Sequence, residues 1–115
     1  MKSNNIDILK GSKKKIDILV SMGAGEAIDR SLNKLIGFQI AKYKNNIDQI
    51  RHELDKFEKK FNMASEDFYK KFESGKLGDE GDFFEWCGLY ENIILYTNRI
   101  KTLEAALKND WELFE

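Results

Sequence analysis

The sequence predicts a mainly α protein. The expected frame is a long antiparallel, coiled-coil-like helical hairpin with a short connecting helix, preceded by a segment that fits a β-hairpin. Three observations predict it. First, Ile36, Ile40, Tyr43, Ile47, Ile50, Leu54, Phe57 and Phe61 follow one another in alternating steps of four and three, the repeat of a helix packed along its length against another helix. Second, Leu89, Ile93, Tyr96, Ile100, Leu103 and Leu107 repeat the same steps. Third, the chain has no proline, so no pyrrolidine ring interrupts either pattern.

Composition bounds the rest. A chain of 115 residues is expected to form one domain, with residues 1–24 as a basic N-terminal segment and 25–115 as the helical hairpin. The net charge of −1 argues against non-specific nucleic-acid binding by the whole surface. That charge is unevenly spread: residues 1–15 carry five lysines and one aspartate, whereas residues 79–115 carry nine acids and three bases. Such a head and tail can attract each other or bind different partners, although solvated surface charge is the commoner case. No apolar run approaches the roughly 20 residues that a membrane-spanning helix needs, and no secretory leader is recognisable. The single cysteine, Cys87, cannot pair within the chain, which fits a reducing cytoplasm.

Along the chain, Ile6-Asp7-Ile8-Leu9 and Ile16-Asp17-Ile18-Leu19-Val20 flank a Gly11-Ser12 turn signal. Two β-branched runs around such a turn fit a β-hairpin, with Ile16, Ile18 and Val20 on one face; helix and an unfolded segment remain the alternatives. Gly23-Ala24-Gly25 has part of the spacing of a dinucleotide-binding loop, but Ile28 occupies the third small-residue position and no second strand follows, so these are expected to be turn glycines. The first long helix starts near Gly25 or at Ser31 and reaches Phe61. Ser65 is expected to cap a short helix whose first turn holds Glu66 and Asp67, and Gly75 to close it. The last helix starts near Asp79 or Asp82. Phe57, Phe61, Phe68, Phe72, Phe83 and Trp86 are expected to meet in a small core at the turn end, and Trp111, Leu113 and Phe114 form an aromatic and apolar tail among acids. A bare two-helix hairpin leaves its seams half exposed, which calls for burial against another copy or another protein.

No reaction is declared. His52 falls on the polar side of the first long helix without a companion at metal-ligand spacing. Cys87 has no activating base in view. Asp79, Glu80, Asp82 and Glu85 suit a helix N-terminus better than a cation site. No catalytic residue, metal ligand or cofactor is therefore assigned. Lys13, Lys14 and Lys15 offer phosphate contacts, too few to predict DNA binding by themselves.

The run Lys60 to Phe68, then Phe72 to Asp79, then Asp82-Phe83-Phe84-Glu85-Trp86 resembles small helical proteins of prokaryotic type II toxin–antitoxin modules. In these a long charged helix leads to a Tyr-x-Met-Ser turn, a Gly-Asp element and an acidic helix start ending in Trp. Phe61 stands where that pattern often has Tyr, and Ala64-Ser65 occupies the Met-Ser junction. The resemblance covers about the C-terminal two-thirds and leaves the N-terminal segment unmatched. It implies a non-enzymatic antitoxin that neutralises a cognate small toxin, encoded nearby, by masking its surface. The residues expected to bind that partner are Ile16, Ile18, Val20, Trp111, Leu113 and Phe114. The alternative is a homo-oligomeric coiled-coil scaffold without a toxin, and self-association is expected on either reading.

Overall fold

The computed structural model describes residues 5–78 and 80–114, with the side chain of Leu113 outside the described residues. Four helices occupy them: α1 (Asn5–Ser21), α2 (Gly25–Phe61), α3 (Ser65–Glu73) and α4 (Gly81–Leu107). A 3-10 turn, Trp111–Phe114, follows. The fold is mainly α, and no strand occurs among the described residues. The chain divides into two compact units, Met1–Gly37 and Phe38–Glu115, with the division falling inside α2.

In the first unit the β-hairpin expected over residues 1–24 is replaced by helix: residues 5–21 are all α1. The Ile-Asp-Ile-Leu repeats satisfy two periods at once. Read in steps of three, four and seven, Ile6, Leu9, Ile16 and Val20 share a helical face, and the intervening lysines are good helix formers. With no strand elsewhere to pair with, the helix satisfies its own backbone groups and a two-stranded ribbon does not. Gly23, at φ +86°, ends α1. Its N–H donates to the Val20 carbonyl at 3.0 Å and the Ala24 N–H to the Leu19 carbonyl at 3.0 Å, the hydrogen-bond pair of a Schellman motif. Gly23 is thus a turn residue between helices, whereas Gly25 is the first residue of α2. Ser31 lies inside α2 and donates to the Ala27 carbonyl.

The other three helices end by the same device. Asn62 (φ 52°), Gly75 (φ +74°) and Asn109 (φ 57°) follow α2, α3 and α4 in left-handed conformations, which glycine adopts freely and asparagine tolerates. In each case the residue after it bonds back five positions: Met63 to Glu58, Lys76 to Lys71, and Asp110 to Ala105. The expected role of Gly75 is therefore found, and two asparagines do the same work without glycine.

The second unit holds the core. Leu54 from α2, Phe68 from α3, and Trp86, Cys87 and Ile93 from α4 are buried together, with Phe57, Phe61, Phe72 and Phe83 packed around them. The Trp86 ring stacks on Phe68 at 3.8 Å with planes 5° apart, and on Phe57 and Phe61 at 5.8 and 5.6 Å. Phe83 meets Phe61 and Phe68. Farther along, Tyr43 stacks on Tyr96 at 5.2 Å.

Ser65 departs from its expected role. The N-cap of α3 is Ala64, which makes no side-chain cap. The Ser65 hydroxyl instead accepts the indole N–H of Trp86 at 2.8 Å in the buried core. A buried Trp must place that N–H on an acceptor. The freed Ser65 backbone N–H is satisfied from α2, by the Glu58 carboxylate at 2.8 Å.

Candidate functional site

Reactive side chains are few, and their surroundings quiet them. The Cys87 thiol is buried on α4 and donates to Glu91 Oε1 at 3.1 Å. Burial, then that hydrogen bond and the charge of Glu91 and Glu73, push its pKa up from 9.0 to about 12, so the nucleophilic thiolate is scarce at neutral pH. Glu73, Cys87 and Glu91 each bring one potential ligand atom to within 4.8 Å of the others. Three donors, two of them exposed carboxylates, fall short of the four that close a structural zinc site. Tyr69 lies beside them, its phenol raised by desolvation first and by the charge of Glu73 and Glu91 next. His52 is exposed on α2.

Of the acids at the start of α4, Glu85 is exposed. Asp82 forms an ion pair with Lys60 at the end of α2, and this hydrogen bond raises the Lys60 pKa. Glu80 is the N-cap residue of α4 and makes no side-chain cap. Asp79 lies outside the described residues.

What the surface does present is apolar. Among the described residues seventeen large apolar side chains are exposed and eight apolar side chains are buried, so the exposed set, and not the core, is the larger. Of the residues expected to bind a partner, Ile16, Ile18 and Val20 lie exposed on α1. In a helix Ile16 and Val20 share a face, while Ile18 points to the other side. Trp111 and Phe114 are about half exposed in the 3-10 turn, with ring centroids 5.8 Å apart; the Leu113 side chain is outside the described residues. Lys13, Lys14 and Lys15 are exposed, and as consecutive helical residues they spread around α1 instead of forming a stripe.

No family model, curated protein or solved structure matches the chain.

Apolar side chains also line a groove in each unit. In the first unit, Ile16 and Leu19 of α1 and Ala27, Ile28 and Leu32 of α2 line an open groove of about 340 Å³. In the second, Tyr43, Leu95, Arg99 and Leu103 border one of about 260 Å³, where Arg99 donates to the Tyr43 hydroxyl at 3.3 Å and sits over its ring. Leu9, Leu19, Leu32 and Leu35, outside the set expected to bind a partner, are exposed as well. A helical count through residues 6–20 carried the signal for the first two, hidden beneath the strand-like alternation. No helix among the described residues is long and apolar enough to cross a membrane.

Proposed function

We propose that the chain is a non-enzymatic protein-binding module, an antitoxin that neutralises a small cognate toxin in the cytoplasm by covering its surface. Its frame on this reading is an antiparallel, coiled-coil-like hairpin of α2 and α4 with α3 as the connecting helix. The pairing of Tyr43 with Tyr96 and of Phe61 with Phe83 supports that frame.

The single observation that carries the reading is the excess of exposed over buried large apolar side chains. Where such side chains share a helix face, as Ile16, Leu19 and Val20 do on α1, the apolar patch marks an interaction site. The toxin assignment draws on the resemblance of residues 60–86 to toxin–antitoxin helical proteins and on the acidic C-terminal segment. Mechanistically, α4 and the Trp111–Phe114 turn lie across a basic toxin surface, apolar rings anchoring while acids steer. The raised Cys87 pKa and the engagement of Asp82 with Lys60 support a role without catalysis. The heptad seams favour a second reading, a homo-oligomeric scaffold without a toxin.

Co-expression with the neighbouring open reading frames tests the first reading. A stable complex with a small basic product, weakened by Trp111→Ala together with Phe114→Ala, is the expected result. A chain that purifies without any neighbouring product overturns it.

A further inference from the structure

We propose that the first unit, α1 with the start of α2, is the interface between two copies of this chain, which pair through it as a four-helix bundle. The inference rests on the binding-module reading, but it concerns self-association and needs no toxin. Its starting point is the absence of a core. No described residue from 5 to 37 is buried. Chains below about 40 residues do not hold a fold without a staple or a partner.

The apolar residues are nonetheless ordered. On α1, Ile6, Leu9, Ile16, Leu19 and Val20 fall on one face by their spacing. On α2, Ile28, Leu32 and Leu35 do so in steps of four and three. The groove of about 340 Å³ is lined from both helices, by Ile16 and Leu19 and by Ile28 and Leu32. Ala27 lies along it as well, and a small residue there lets another helix approach.

A second copy fits this face in size, charge and closure. Leu9, Leu19, Leu32 and Leu35 are each 43 to 56% exposed, and with the isoleucines and Val20 they present on the order of 600 Å², against about 800 Å² per partner in a standard stable interface. The unit also carries both signs of charge. Lysines 10, 13, 14 and 15 lie on α1 with Asp7 and Asp17, and Glu26 and Asp29 lie on α2 with Arg30 and Lys34. With both signs of charge on each helix, a second copy laid across the face meets no single-sign field. Two identical helix pairs meeting on this face cover it in both copies.

The test is sedimentation of the purified full-length chain between about 1 and 100 μM, the range in which a micromolar homodimer dissociates. The expected result is a wild-type dimer at the upper end and a monomer throughout for the double variant Leu9→Glu with Leu19→Glu. The control Leu95→Glu, exposed in the second unit, dimerises as wild type does. An unchanged Trp86 emission shows that the double variant keeps its second unit folded. A wild-type monomer at every concentration overturns the proposal, as does a dimer that survives the double substitution or is lost on Leu95→Glu. A chain that dimerises in this way and captures no neighbouring product keeps the inference and removes the toxin reading. One that binds a neighbouring product and never self-associates does the reverse.

Discussion

The two units use the same helix terminators and differ in what lies between them. Residues 1–37 contain no aromatic residue, and all fourteen of the chain's Phe, Trp and Tyr residues lie from Phe38 onward. The second unit has α3, and with it Phe68 fully buried against Trp86. The first has two helical segments, aliphatic side chains and nothing buried among the described residues. Amphipathic periodicity is present in both. What separates them is a third element and flat side chains large enough to enclose one another. A pattern that specifies helix is therefore not enough to specify a core.

The largest effect on that contrast comes from removing its centre. Trp86→Ala takes away the ring on which Phe57, Phe61 and Phe68 stack, and is expected to cost about 3–5 kcal/mol. Urea unfolding followed by circular dichroism measures it, and the second unit should then lose its cooperative transition. Next comes Ser65→Ala, which strands the buried indole N–H and is expected to cost about 1–3 kcal/mol. The double variant Ser65→Ala with Trp86→Phe removes both partners of that bond, so its cost should fall below the sum of the single changes in the same assay.

A pH series sharpens the comparison further. The Cys87 thiol holds its proton more tightly in the folded chain, at about 12 against an ordinary 9.0. Its contribution to stability is whole below about pH 9 and is lost as pH climbs from there toward 12. Wild-type unfolding midpoints should therefore decline more steeply above pH 9 than those of Cys87→Ala. The smallest effect is expected from Leu19→Glu, a change on the exposed face of α1. It should move the second unit's transition by less than about 0.5 kcal/mol, as read by Trp86 fluorescence during denaturation.

Much of the second unit is legible in the sequence because its signals are local and redundant. The two seams point to helices, the aromatic cluster to a core around Trp86, and Gly75 to the end of α3, and all three are found. Ser65 was legible only in part. Its position before a helix suggests a cap, but its partner is a tryptophan 21 residues away, and no local rule contains that distance. The first unit misleads for another reason. Ile16-Asp17-Ile18 alternates as a strand does, and only the wider spacing from Ile6 to Val20 favours helix. A short window sees the first pattern and a long one the second. The candidate surface follows the same division: Trp111 and Phe114 are exposed as a tail should be, whereas Ile18 shares a face with Ile16 only in a period of two that α1 does not have.

The two tryptophans give the chain a built-in optical asymmetry. Trp86 is fully enclosed, with its N–H held by Ser65, while Trp111 is 57% exposed. An aqueous quencher reaches one and not the other, so a single emission spectrum contains two separable voices. One reports whether the aromatic core is closed. The other reports whether anything has come to rest on the tail. Replacing Trp111 by Phe leaves a chain that signals only its own folding, and replacing Trp86 by Phe leaves one that signals only its company.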